Sequence, residues 1–263
     1  MAADSCARRE KQMSWRMVSV PVASVTRLVR CSTAMMDSDM RGRQAITKGM
    51  NRRAWLRGVL AAHCSLWVGA ALAQGQPVAA VLVVGDSLSA EYGLPRGTGW
   101  VALMAERAAR EKIPVQVVNA SISGDTTAGG RARLAALLAQ HRPRVVVVEL
   151  GGNDALRGLP LASTRDNLLA MVRAAKGSGA QVVVAGMQVP PNYGRQYNED
   201  FGALFAEVAK AERCALVPFL LKGVADRADA DAWFQADRIH PIAKAHPLIL
   251  DNVWPVLRPL LPR

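Results

Sequence analysis

The sequence predicts an α/β fold around a five-stranded parallel sheet, and three observations carry that prediction. Short apolar runs rich in β-branched residues recur from residue 79 onward. Stretches with apolar residues at three- and four-residue spacing separate them, the alternation expected of βαβ units. The runs are apolar nearly throughout rather than alternating, as in strands covered on both faces.

The strands are expected at Ala79–Val84, Pro114–Asn119, Arg144–Leu150, Gln181–Met187 and Cys214–Pro218. Helices are expected over Trp100–Lys112, Ala128–His141, Thr164–Gly177 and Tyr197–Arg213, with a last helix after Pro241. Thr126 or Thr127 can cap the second helix, and Gly177 can end the third. One domain accounts for residues 74–263, with no internal repeat and no low-complexity linker.

Upstream of that domain the chemistry changes. Residues 50–73, MNRRAWLRGVLAAHCSLWVGAALA, open with Arg52, Arg53 and Arg57, run on uncharged and mostly apolar, and end in small residues. That is a signal peptide, with cleavage expected after Ala73, by a Sec or a twin-arginine route. Its apolar run is too short and mixed for a comfortable membrane span. Export signals begin a chain, so residues 1–49 are expected to be a mis-assigned, disordered extension ahead of a true start at Met50 or near it at Met40. The mature protein is then periplasmic or secreted, with no stable membrane anchor, and a monomer. Cys214 is its one cysteine, which leaves no intramolecular disulfide and no cysteine-based metal site.

The formal charge is +12, but twelve of the 33 Lys/Arg and only four of the 21 Asp/Glu fall in residues 1–73. The remainder carries +4, without a basic run or interleaved aromatics, and nucleic-acid binding is excluded as a reading.

In an open parallel sheet the ligand site lies beyond the carboxyl ends of the strands. The segments expected there are Gly85-Asp86-Ser87, Asn119 to Asp125, Gly151-Gly152-Asn153-Asp154 and Val189 to Gly194. Three of them are small, polar and glycine-bearing, which lets backbone N–H groups approach a ligand. A serine after a strand is often only a helix cap. Ser87 becomes a nucleophile only if a base takes its proton. Of the three histidines after residue 73, His141 falls at the wrong end of the sheet and His246 on the last helix. His240, in Asp237-Arg238-Ile239-His240-Pro241, sits in a loop, and the three-residue interval lets the Asp237 carboxylate reach its imidazole. Asp237 could equally cap the last helix. Backbone N–H groups of Ser87 and Gly124 and the Asn153 amide are candidate donors to an oxyanion. Asp86 and Asp154 read as residues that brace their turns, and Ser121, Ser123, Thr126 and Thr127 as turn and cap residues.

GDSLS at 85–89, Gly124 in NASISGDTT, Asn153 in ELGGND and Asp237 with His240 in DRIHP stand in the order of the four blocks of the SGNH, or GDSL, hydrolase superfamily. The resemblance covers residues 79–257 and is strongest to its bacterial periplasmic thioesterase, lysophospholipase and arylesterase branch. It implies a three-layer α/β/α, flavodoxin-like fold and a Ser87–His240–Asp237 triad. Ser87, Gly124 and Asn153 would be the oxyanion donors, with no metal or other cofactor. The expected substrates are small acyl esters, thioesters or lysophospholipids, hydrolysed through an acyl-enzyme. Ala155 and Leu159-Pro160 depart from the family pattern in a loop that the resemblance places along the acyl chain. The alternatives are a carbohydrate O-deacetylase of the same superfamily and a non-catalytic flavodoxin-like binding module whose glycine loops hold phosphate or flavin. A membrane-surface role lacks a basic amphipathic helix to support it.

Overall fold

The computed structural model describes residues 78–263. The extension over residues 1–49, the signal peptide over 50–73 and its cleavage point lie outside the described residues.

Valine-rich runs become β1 (Ala79–Gly85), β2 (Val115–Asn119), β3 (Val145–Glu149), β4 (Gln181–Ala185) and β5 (Ala215–Val217). They form one sheet in the order β2-β1-β3-β4-β5, and every neighbouring pair is parallel. Between them run α1 (Trp100–Arg110), α2 (Thr127–His141), α3 (Gly152–Leu156), α4 (Leu161–Gly177) and α5 (Arg195–Glu212), and α6 (His246–Leu257) closes the chain. Alternate strand residues feed two cores. Val81, Val83, Val147 and Val183 pack with Trp100 and Met104 of α1 and Ile249 and Val253 of α6. Leu82, Val84, Val146 and Val148 pack with Leu134 of α2, Met171 of α4 and Phe201 and Phe205 of α5. Each such fully buried side chain contributes about 1.5–3 kcal/mol relative to an exposed one. The result is the expected three-layer α/β/α arrangement.

Element boundaries differ from the expectation for local reasons. Pro114 has no N–H to give a ladder, so β2 begins at Val115, opposite Ala79. β1 runs one residue further than expected because Gly85 stays in register with Glu149. α4 starts three residues early, at Leu161, because Pro160 already sits at its N-cap. The last helix opens at His246 rather than directly after Pro241. Pro241 is bridged antiparallel to Phe234 and held out of helical geometry, whereas Pro247 occupies the first turn. The five-residue α3, which carries Asn153, is too short for periodicity to show.

The chain steps from β1 outward to β2, then returns to place β3 on the other side of β1. Such a switch point opens a crevice beyond the strand ends. The segment after β1 carries Ser87 and the segment after β3 carries Asn153, so both flank it. Among the described residues no helix is long and apolar enough to cross a membrane.

Candidate active site

β1 ends in a helix-like turn, with Ser89 N–H and Ala90 N–H both donating to the Asp86 carbonyl at 3.2 and 2.9 Å. The cap of that turn is Asp86, whose Oδ1 accepts from Leu88 N–H at 3.0 Å. Ser87 is thereby released from capping, and its Oγ lies 2.8 Å from His240 Nε2. His240 Nδ1 lies 2.7 Å from Asp237 Oδ2. Asp237 Oδ1 accepts from Ile239 N–H at 2.9 Å and His240 N–H at 3.0 Å, a tight turn completed by Arg238 in the left-handed region at φ 56°. Burial alone would raise the Asp237 carboxyl, but the hydrogen bonds from His240 and Ile239 outweigh it and carry the group down to about 2. An ionised Asp237 fixes the proton on Nδ1 and leaves the Nε2 lone pair facing the Ser87 hydroxyl.

The expected oxyanion donors are of two kinds. The Ser87 and Gly124 N–H groups donate to no described residue. Gly124 lies in the left-handed region at φ 78°, natural for glycine, and its carbonyl is held by Arg157 Nη2 at 2.8 Å. The Asn153 amide is already engaged with both protons, one on Asp86 Oδ2 at 3.0 Å and one on the Asp125 carbonyl at 2.9 Å. To meet an oxyanion it must share one of them.

Three residues that sequence reasoning passed over hold these segments together. Arg133 on α2 donates to Asp125 Oδ2 at 2.8 Å, to the Ala120 carbonyl and, at 3.5 Å, to the Gly85 carbonyl, so it ties the loop after β2 to the end of β1. Ser89 and Glu149 lie beneath the serine turn. Glu149 is fully buried, and its Oε2 accepts from Ser89 Oγ at 2.5 Å and Asp86 N–H at 3.2 Å. Its Oε1 has no partner among the described residues. A carboxylate within an otherwise all-valine strand was the signal for it. Asp154 braces its loop from the other side, accepting from Thr127 N–H at 2.8 Å and from the Thr127 hydroxyl. Thr126 caps α2 through Gly129 N–H.

Burial, and then the charge of Asp86, push the Glu149 carboxyl well above its ordinary value. Burial likewise raises Asp86, against the Leu88 N–H and the pull of His240. Glu149 is therefore the member that keeps its proton. A carboxyl raised on folding contributes full stability below its unfolded value, here 4.5, and loses it as pH climbs toward the folded value. Glu149→Gln, its uncharged isostere, is expected to match wild type near that lower limit and to gain on it in melting temperature as pH rises above it. Parallel melting curves against pH would count against a neutral Glu149. Glu149→Ala strands the Asp86 N–H and the Ser89 hydroxyl, at about 1–3 kcal/mol for each orphaned donor.

The other histidines stand away from the relay. His246 is buried and its Nδ1 accepts the Trp100 N–H at 3.0 Å, which caps α1, and burial lowers its pKa. His141 ends α2, at the end of the sheet where β3 begins. Among the described residues no three His, Cys, Asp or Glu side chains are grouped as metal ligands.

Residues 83–248 match the GDSL-like Lipase/Acylhydrolase family. The chain is 50% identical over 206 residues to Esterase TesA of Pseudomonas aeruginosa, covering 78% of this chain and 100% of that protein. It is 42% identical over 181 residues to Thioesterase 1/protease 1/lysophospholipase L1 of Escherichia coli strain K12, covering 69% and 84%. Its fold is similar to the crystal structure of TesA, with a TM-score of 0.67 and 53% identity over 69% of this chain and 99% of that one.

Proposed function

The chain belongs to the GDSL-like Lipase/Acylhydrolase family, and on that premise we propose that Ser87, His240 and Asp237 are the triad of an exported esterase and thioesterase. The observation that carries this is the continuous relay from Ser87 Oγ to His240 Nε2, 2.8 Å, and from His240 Nδ1 to Asp237 Oδ2, 2.7 Å. His240 takes the hydroxyl proton as Ser87 Oγ attacks the acyl carbonyl, and Asp237 stabilises the imidazolium that forms. The Ser87 and Gly124 N–H groups, joined by a shared Asn153 proton, receive the developing oxyanion. The imidazolium then protonates the departing alkoxide or thiolate, leaving an acyl-Ser87 ester. Water, deprotonated by His240, attacks that ester, and the imidazolium returns the proton to Ser87 Oγ as the carboxylic acid departs.

The substrate class follows from the rim. Exposed large apolar side chains stand on the segments after β2, β3, β4 and β5: Ile122, Leu156, Leu159, Tyr193 and Ile239. An apolar rim suits a fatty acyl chain rather than an acetylated sugar, and supports acyl esters, acyl thioesters and lysophospholipids as substrates. A flavodoxin-like binding module would leave the relay without purpose. Residues 74–263 then work as a monomer in the periplasm or outside the cell, after cleavage near Ala73.

The test is a fluorophosphonate probe with peptide mapping, run beside a chain-length series of nitrophenyl esters, acyl thioesters, lysophosphatidylcholine and acetylated xylan. The label is expected on Ser87, and medium- to long-chain acyl substrates should turn over faster than the acetylated sugar. A label elsewhere defeats the triad, and preference for the sugar defeats the substrate class.

A further inference from the structure

His240 is tied by hydrogen bonds to Asp237 on one side and Ser87 on the other, and its ring also has a wall. The Tyr92 ring packs against the imidazole with centroids 4.3 Å apart and planes tilted by 38°. Tyr92 belongs to the serine turn itself, since its N–H donates to the Ser87 carbonyl at 3.4 Å. The turn that carries Ser87 therefore also carries the surface against which His240 rests.

The two segments are further locked through Gln235. Its Nε2 donates to the Tyr92 carbonyl at 2.9 Å and to the Pro241 carbonyl at 3.3 Å. Its backbone N–H donates to the His240 carbonyl at 2.7 Å, and its own carbonyl accepts from Arg238 N–H at 2.9 Å. Gln235 lies against the bare backbone of Gly93, which sits at φ 69° and where a Cβ would come within 2.2 Å of Gln235 Oε1. The root of the His240 loop is fixed separately. Trp233 is flanked by Arg227 at 4.4 Å and Lys244 at 4.6 Å, and Phe234 bridges to Pro241. Among the described residues, the Gln235–Tyr92 and Ser87–His240 hydrogen bonds are the two that join that loop to the serine turn.

We propose that Tyr92 and Gln235 are positioning residues that hold the His240 imidazole at hydrogen-bonding distance from Ser87, an inference that rests on the triad reading above. An imidazole displaced by about 1 Å loses on the order of 100-fold in rate. The face of the Tyr92 ring is also electron-rich toward the imidazolium that forms when Ser87 gives up its proton. Both roles require the ring and neither requires the hydroxyl.

The experiment compares Tyr92→Phe, Tyr92→Leu, Gln235→Ala and the double variant Tyr92→Leu/Gln235→Ala in the full chain, with Ser87→Ala as reference. Each is assayed with nitrophenyl butyrate for kcat and KM and with a fluorophosphonate for labelling rate, and thermal melts verify folding. Tyr92→Phe should match wild type. Tyr92→Leu and Gln235→Ala should each lose on the order of 10- to 100-fold in kcat and labelling rate, with KM within about twofold, and the double variant should lose less than the product of the two. Wild-type labelling by Tyr92→Leu overturns the proposal, as does a rise in KM alone, which would make the ring a substrate wall. Should Gln235→Ala fail to fold, the half-exposed Tyr92 still carries the test through the contrast of Phe with Leu. A labelled Ser87→Ala protein would mean that the triad reading has failed; an unlabelled one with a wild-type Tyr92→Leu means that the positioning role alone has failed.

Discussion

Ser87→Ala is expected to lower kcat/KM for a nitrophenyl ester by on the order of 10⁶, to the level left by binding and oxyanion donors alone, and to abolish phosphonate labelling. The size follows from what the side chain does. In the proposed mechanism its oxygen forms the acyl bond, and among the described residues no other hydroxyl bonds His240 Nε2. Ser89, two residues on, is buried and donates to Glu149, so it cannot substitute. The fold should barely notice, because the cap of the serine turn is Asp86 and not Ser87. A melting temperature near that of wild type, together with lost activity, separates chemistry from stability. Adding His240→Ala to Ser87→Ala should cost almost nothing more, since the two act as one unit. Retention of activity within a hundredfold of wild type would overturn the nucleophile assignment.

Asp237→Asn is expected to lower kcat by on the order of 10⁴, with little change in KM. The substitution preserves an oxygen able to accept from Ile239 N–H and His240 N–H, so the turn should survive. What it loses is the acceptor for Nδ1–H. An amide facing Nδ1 donates instead, which moves the imidazole proton to Nε2, and Ser87 then meets a donor where it needs a base. The pH dependence is informative as well. A carboxyl lowered to about 2 stays charged throughout the working range. Its contribution to stability is present above the ordinary carboxylate value and is lost only as pH falls toward 2. An acid limb of activity above about pH 4 therefore belongs to some other group than Asp237. A kcat for Asp237→Asn within tenfold of wild type would mean that His240 finds its tautomer without this carboxylate.

The strands and most helices were legible because burial on both faces writes an unmistakable apolar run, and β1 and β3 are the plainest cases. Ser87, Gly124 and Asn153 stood out because each falls in a short polar segment at a strand end, where the fold puts ligands, and Asp237 and His240 because their three-residue interval in a loop lets a carboxylate reach an imidazole. Residues that matter by touching a partner far along the chain were not legible. Gln235 meets the Tyr92 carbonyl across 143 positions, and neither residue type advertises that meeting. Arg133, a charged residue within a helix, reaches two acceptors in the loop after β2 and a third at the end of β1. The start of α6 was misplaced because two prolines, Pro241 and Pro247, both suit a helix opening, and only the pairing of Pro241 with Phe234 decides between them. Glu149 was visible in principle, as a charge in a strand that has no room for one.

The same glutamate reaches back to the first letter of the GDS motif. Gly85 pairs with Glu149 across the sheet, and a Cβ at residue 85 would come within 2.6 Å of Glu149 Oε2 and 2.7 Å of Ser89 Oγ. Its φ is not in the left-handed region, so nothing in its own backbone demands glycine. The space does. The motif around the serine is thus not a self-contained word: its glycine is dictated jointly by a carboxyl on another strand and by Ser89, whose Cβ would lie 2.9 Å from an added Cβ, so shrinking the glutamate alone would not free that first position.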